Sequence, residues 1–212
     1  MSKINPVIID YGVGNIFSLK NAIEFNGHKP FLTNDLELID KASHIFLPGV
    51  GSFEKAIDEL KNKNLFDFLK KCKNKKIMGI CLGMQLLFEK SFEMGEHLGL
   101  GLLKGVIDKI EFTDKNSLLN NKVPNIGWHE TKINENFKSD PIFFNNRVFN
   151  YYFIHSYHAK SLESGSLVSY IELDKCKIPA IVKNQNIYGC QFHPEKSRKQ
   201  GLNLIKNFLE KI

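Results

Sequence analysis

The chain has 212 residues, 42% apolar, 25% charged and 11% aromatic, with 29 basic and 23 acidic side chains and a formal net charge of +6. At roughly 150 residues per domain this length favours one domain over two. The apolar fraction excludes a mainly disordered chain. No apolar run approaches the roughly 18 residues of a membrane span. The N-terminal stretch 1–10 carries neither a signal-peptide apolar region nor a small-residue cleavage site, so the reading is a cytoplasmic protein.

The excess charge is scattered, with one dense basic cluster at residues 70–76. Without interleaved aromatics it reads as the solvated end of a helix rather than a nucleic-acid surface. Cys72, Cys81, Cys176 and Cys190 have no paired metal-ligand spacing, and reduced thiols are expected.

In chain order, residues 7–10 predict a buried strand, followed by a glycine-rich turn at 12–15. Ile16, Leu19 and Ile23 then recur at helical spacing up to the stop signal Gly27. Residues 44–47 predict the next strand, closed by Pro48-Gly49-Val50-Gly51. Ser52 is placed to cap a helix that buries Phe53, Ala56, Ile57 and Leu60. Residues 77–80 predict a third strand, entering Cys81 and a short helix through Leu86, Leu87 and Phe88. Strands alternating with helices predict a parallel sheet covered on both faces.

The second half changes character. Residues 106–112, 151–157, 167–172, 178–183 and 187–192 read as successive strands with short polar connections, which predicts antiparallel pairing that extends the sheet. Leu202, Ile205, Phe208, Leu209 and Ile212 mark a closing amphipathic helix. Residues 115–122 and 134–140 read as exposed polar loops. The expected architecture is a single α/β domain over 1–212: a central, mostly parallel sheet flanked by helices, with added antiparallel strands.

Chemistry concentrates at Gly79-Ile80-Cys81-Leu82-Gly83. A nucleophile between glycines at a strand-to-helix elbow is exposed at the sheet edge, with a helix N-terminus aimed at it. The positive dipole end favours the thiolate, the reactive form. An isolated cysteine would read as a small buried hydrophobe; this setting reverses that reading. A thiolate needs a base, and the base an orienting acceptor. His193 and Glu195, in Gln191-Phe192-His193-Pro194-Glu195 at a strand end, fit those roles, although His-Pro-Glu alone is also an ordinary turn. The loop Pro48-Gly49-Val50-Gly51 can point backbone N–H groups at an oxyanion, an effect worth about 3 kcal/mol per donor. His155 is a rival base without an orienting carboxylate in its segment, and Ser156 and Tyr157 suit a polar substrate.

Residues 79–85 and Phe192-His193-Pro194-Glu195 resemble the class I, triad-type glutamine amidotransferases. Residues 10–15, Pro48-Gly49-Val50-Gly51, Gly127-Trp128, His155-Ser156-Tyr157 and Pro194-Glu195-Lys196-Ser197, in that order, are similar to the glutaminase subunits of imidazole glycerol phosphate synthases. The resemblance implies that Cys81 attacks the side-chain amide of L-glutamine, while His193, oriented by Glu195, moves protons. It implies an oxyanion hole from Val50, Gly51 and Leu82, and substrate contacts from Gly49, Gln85, His155, Ser156 and Tyr157. It also implies a heterodimer with a (β/α)8-barrel cyclase subunit, with Asn15, Trp128 and Lys196 near that interface. No metal, organic cofactor, nucleic acid or membrane is implied. Two positions depart from the pattern: His129 follows the Gly-Trp pair where Asn is frequent, and Asn125 stands where His is frequent. Both are expected toward the partner, which leaves open a divergent synthase, such as one amidating surface-polysaccharide sugars. A non-catalytic subunit of a barrel partner and a cysteine peptidase on the same fold are the readings of other classes.

Overall fold

A computed structural model describes residues 4–112, 122–173 and 176–212. Its centre is an eight-stranded sheet whose first five strands run parallel. They are β2 (Phe31–Thr33), β1 (Pro6–Ile9), β3 (His44–Leu47), β4 (Lys76–Ile80) and β14 (Ile187–Cys190). Three antiparallel strands continue it: β13 (Cys176–Asn184), β12 (Leu167–Leu173) and β9 (Lys132–Ile133).

The all-buried apolar runs of β1 and β3 follow from having helices on both faces. Val7, Ile9, Ile45 and Leu47 point into a core shared with α3 (Phe53–Asn62) and α4 (Leu65–Lys71). Ile8, Phe46, Met78 and Ile80 point into a second core, shared with α1 (Ile16–Phe25) and α6 (Arg198–Lys211). The period-2 alternation of strand side chains sorts one apolar run into two cores.

Several expectations need correction. Residues 151–157 are not one strand. They form β10 (Asn150–His155) and, past Ser156, β11 (Tyr157–Lys160), which belong to different sheets. β10 pairs with β8 (Asn125–Glu130), whereas β11 pairs with β7 (Val106–Lys109) in a small sheet with β5 (Lys90–Ser91) and β6 (His97–Leu98). The run contains no glycine or proline to mark the break. The chain turns where the Ser156 carbonyl accepts the Ile110 N–H at 2.9 Å. β7 also stops at Lys109 rather than at residue 112. The short edge strand β2, the helix α2 (Leu36–Asp40) and β8 carry too weak a pattern to be anticipated.

Residues 134–140 are not simply an exposed loop: Asp140 is held by the Lys183 ammonium at 2.7 Å and the Tyr188 hydroxyl at 3.0 Å. Residues 113–121 of the other expected loop lie outside the described residues. Ser52 takes the cap position of α3, but its side chain makes no cap hydrogen bond.

The site is built where β3 and β4 end. Cys81 sits between β4 and α5 (Leu82–Leu86) with φ +55° and ψ −112°. A non-glycine residue held there stores roughly 1–3 kcal/mol of strain, which surrounding packing must over-determine. That packing is backbone on backbone. A Cβ on Gly83 would fall 1.8 Å from the Leu47 carbonyl oxygen, and one on Gly79 would lie 2.6 Å from the Gly83 oxygen. Because the Gly83 clash is with backbone rather than a flexible side chain, Gly83→Ala should destabilise the fold by about 3 kcal/mol or more. Urea denaturation checks this; a variant within 0.5 kcal/mol, roughly the span of a neutral surface change, would refute the account of the elbow.

Candidate active site

The carboxyl ends of β3, β4 and β14 deliver three segments to one place, as open α/β sheets do. Val50 and Gly51 follow β3, Cys81 follows β4 and His193 follows β14. They line a cavity of about 290 Å³ together with Leu82, Gln85, Ser156 and Tyr157.

The His193 ring is 3% exposed, and its Nδ1 lies 2.8 Å from Glu195 Oε1, which also receives the Asn15 amide at 3.4 Å. The Glu195 contact occupies Nδ1 and leaves Nε2 as the nitrogen for Cys81. Pro194 opens the short 3₁₀ turn Pro194–Lys196 that brings the carboxylate back onto the ring. Burial opposes the imidazolium, but the Cys81 sulfur and the Glu195 carboxylate, by hydrogen bonding and charge, override it and raise His193 to about 10. The sulfur itself lies 3.8 Å from the Ile154 carbonyl.

His155 stands differently. Its Nε2 faces the Asn125 amide nitrogen at 3.1 Å, and its Nδ1 faces the Tyr157 carbonyl at 2.8 Å. An amide NH₂ can only donate and a carbonyl can only accept, so the ring is the neutral Nδ1–H tautomer. Burial, the largest influence, lowers His155 to about 4. With both nitrogens engaged it is a wall of the cavity, not a rival base. Asn125 therefore does not lie toward a partner surface, as expected from sequence, but is buried against the cavity wall. His129 is on β8, edge-on to Phe153 at 5.6 Å.

Gln85 is also fixed: its Nε2 donates to the Tyr157 carbonyl and to Gln191 Oε1, both at 3.1 Å. Both amide hydrogens are thus in use and the carbonyl oxygen is what the side chain can offer a ligand. Gly49 is not a cavity residue. It packs beneath α5, where a Cβ would lie 2.6 Å from the Gly83 nitrogen. Among the described residues, Val50 and Gly51 donate their N–H groups to no protein acceptor.

Trp128 and Lys196 are exposed outside the cavity, Trp128 with the Arg198 guanidinium 4.9 Å from its ring, while Asn15 stands behind the Glu195 carboxylate. Sequence reasoning missed Glu93, Pro124 and Ile154, which also line the cavity. Glu93 lies in a turn with no motif around it, whereas Gln191 could have been suspected as a polar residue at a buried strand end beside His193.

The model for class-I glutamine amidotransferases matches residues 7–212, and the chain belongs to that family. It is 42% identical over 219 residues to the imidazole glycerol phosphate synthase subunit HisH of Lactococcus lactis subsp. lactis (strain IL1403), covering all of both chains. It is likewise 42% identical over 206 residues to the HisH subunit of Bacillus thuringiensis subsp. konkukian (strain 97-27), covering 95% of this chain and 92% of that one. Among solved structures, a glutamine amidotransferase superposes with a TM-score of 0.72 at 17% identity, covering 96% of this chain and 97% of that one. PurLQS from Thermotoga maritima gives 0.70 at 20% identity, covering 99% of each. At those identities the likeness is one of fold.

The His193 titration tests the geometry. Because its folded value lies above the ordinary 6.5, this group's stabilisation is complete below about pH 6.5 and is lost as pH rises through about 10. Cys81→Ala removes one of the two groups that raise it, so the His193 ring should titrate at lower pH in the variant. NMR of labelled histidine reads this; an unchanged curve would show that sulfur and imidazole do not interact.

Proposed function

We propose that this chain is the glutaminase subunit of an imidazole glycerol phosphate synthase, working in cytoplasmic histidine biosynthesis. The observation that carries the reading is a cysteine held at a strained elbow beside a buried, carboxylate-paired histidine on one cavity. The Cys81 thiolate attacks the side-chain amide carbon of L-glutamine. The oxyanion that forms is met by the N–H groups of Leu82 at the start of α5 and of Val50 and Gly51. Such donors are aimed before the charge develops and cost no reorganisation. His193, as imidazolium, gives its proton to the departing nitrogen, and ammonia leaves a glutamyl thioester. Neutral His193 then takes a proton from water, which attacks the thioester, releases glutamate and restores the thiolate beside the imidazolium. Glu195 holds the ring through Nδ1 and stabilises its charged form in both halves.

Gln85, His155, Ser156 and Tyr157 form the substrate wall. The Gln85 carbonyl oxygen suits the α-ammonium of glutamine, because an acceptor is the only group that side chain has left. Gly49 acts on this site through packing under α5.

Ammonia released into water at neutral pH becomes mostly ammonium, which is no nucleophile, so the site gains from being covered. Beside the cavity, β8 and β10 turn an apolar face outward, with Ile126 56%, Trp128 40% and Ile154 40% exposed. A monomer rarely leaves adjoining apolar side chains in water without a partner for them. We assign this face, with Asn15 and Lys196 at its margin, to a (β/α)8-barrel cyclase subunit. That subunit uses the ammonia on a phosphorylated aminoimidazole-carboxamide ribonucleotide intermediate.

In the complex, Cys81→Ala should lower glutamine-dependent turnover at least about 1,000-fold while turnover with ammonium salts persists. Glutamine hydrolysis at the wild-type rate would remove the nucleophile. Ile126→Asp, central to the apolar face and outside the cavity lining, should weaken binding of the cyclase subunit about tenfold or more, since it buries a charge. Calorimetric titration with an unchanged Kd would move the interface elsewhere.

A further inference from the structure

Val50 and Gly51 form a thin partition. On one side is the cavity with Cys81; on the other is a second cavity of about 460 Å³, lined by Gly12, Gly14, Lys55 and Glu59 among others. Gly51 has φ +92°, and no atom lies within 4 Å of where its Cβ would stand. A glycine peptide with open space on both sides rotates without steric resistance, yet an oxyanion hole requires its N–H groups to stay aimed. Something at the ends of the loop must fix it.

One anchor holds it at each end. Before the loop, the Tyr11 hydroxyl donates to the Pro48 carbonyl at 2.6 Å. After it, the Phe53 N–H, two residues beyond Gly51, donates to Glu93 Oε2 at 2.8 Å. Ser52, the cap residue of α3, makes no side-chain cap hydrogen bond, so Glu93 is the side chain that holds this helix end. Glu93 is itself held, since its own N–H donates to Ser91 Oγ at 3.1 Å, and it borders the same cavity as Cys81 and His193.

We propose that Glu93 is a positioning residue for glutamine hydrolysis: its carboxylate pins the far end of the loop and so keeps the Val50 and Gly51 N–H groups directed at the reacting carbonyl. This rests on the glutaminase reading and adds to it a residue that acts through the loop rather than on the substrate's reacting atoms.

The test is steady-state glutaminase kinetics in the complex with the cyclase subunit, alongside the melting temperature of each variant. Glu93→Gln keeps an oxygen in the same place to accept from Phe53 and should hold kcat within about threefold of wild type. Glu93→Asp keeps the charge but withdraws the oxygen by one methylene, and Glu93→Ala removes it. Both should lower kcat at least about tenfold, because loss of one oxyanion donor costs about two to three orders of magnitude and a misaimed donor loses part of that, with KM changing less than kcat. Should Glu93→Ala fail to fold, Glu93→Asp carries the comparison. A wild-type kcat in Glu93→Asp overturns the proposal, even with a lowered melting temperature, since a merely structural cap would do that. A kcat in Glu93→Gln as low as in Glu93→Asp overturns it too. A wild-type complex that hydrolyses no glutamine overturns the glutaminase reading itself, a result the variants alone cannot produce.

Discussion

The approach of α5 to the end of β3 decides where every reacting group stands. Gly83 lies so close to the Leu47 carbonyl that no side chain fits between them, so the helix following Cys81 is locked against the strand that leads to Pro48. That lock holds Cys81 in its positive-φ conformation, buried at the edge of the second core and lining the cavity where His193 stands. It also sets the distance from the nucleophile to the Val50–Gly51 loop, because the loop begins one residue beyond the strand on which the helix rests. One packing contact thus fixes two elements of the site that are some thirty residues apart in the chain.

The electrostatics build on this geometry. His193 and Glu195 are almost wholly buried, and a buried ion pair gains stability only when its partners and remaining hydrogen bonds are well placed. Here the short turn after Pro194 makes the pair local, two residues apart, and the Asn15 amide, far away in the chain, braces the carboxylate. The sulfur adds a third charge-bearing group, and the resulting upward displacement of His193 favours the protonated ring that a leaving amine requires. His155, buried in the same wall, is driven the opposite way: burial disfavours its charged form, the Tyr157 carbonyl only partly offsets this, and no anion touches the ring. Two histidines in one cavity are given different protonation states by what each ring nitrogen touches.

Much of this was legible in the sequence, and the residues explain why. Gly79 and Gly83 flank the nucleophile because backbone must pass there, so the elbow is written into five consecutive positions. The parallel strands announce themselves as unbroken apolar runs because both faces are covered. The split of 151–157 between two sheets was not legible, since the run is uninterrupted by glycine or proline and reads as one strand, and the bend at Ser156 is imposed by pairing with β7 and β8. Likewise, Asn125 read as a partner-side substitution because its role depends on a register that sets it opposite His155, and register between distant strands leaves no local mark. Glu93 was invisible for the same reason: a carboxylate in a turn acquires meaning only from the helix end it faces.

The orientation of the apolar face bears on how hydrolysis and synthesis are joined. β10 ends in His155, a wall of the cavity, and its Ile154 carbonyl faces the Cys81 sulfur, while the Ile154 side chain points outward beside Ile126. The same strand therefore presents its backbone to the nucleophile and its side chains to the surface where a second subunit would rest. Coupling across the proposed interface would need no long relay through packed side chains, because the strand whose side chains form the apolar face is also the strand whose backbone meets the sulfur.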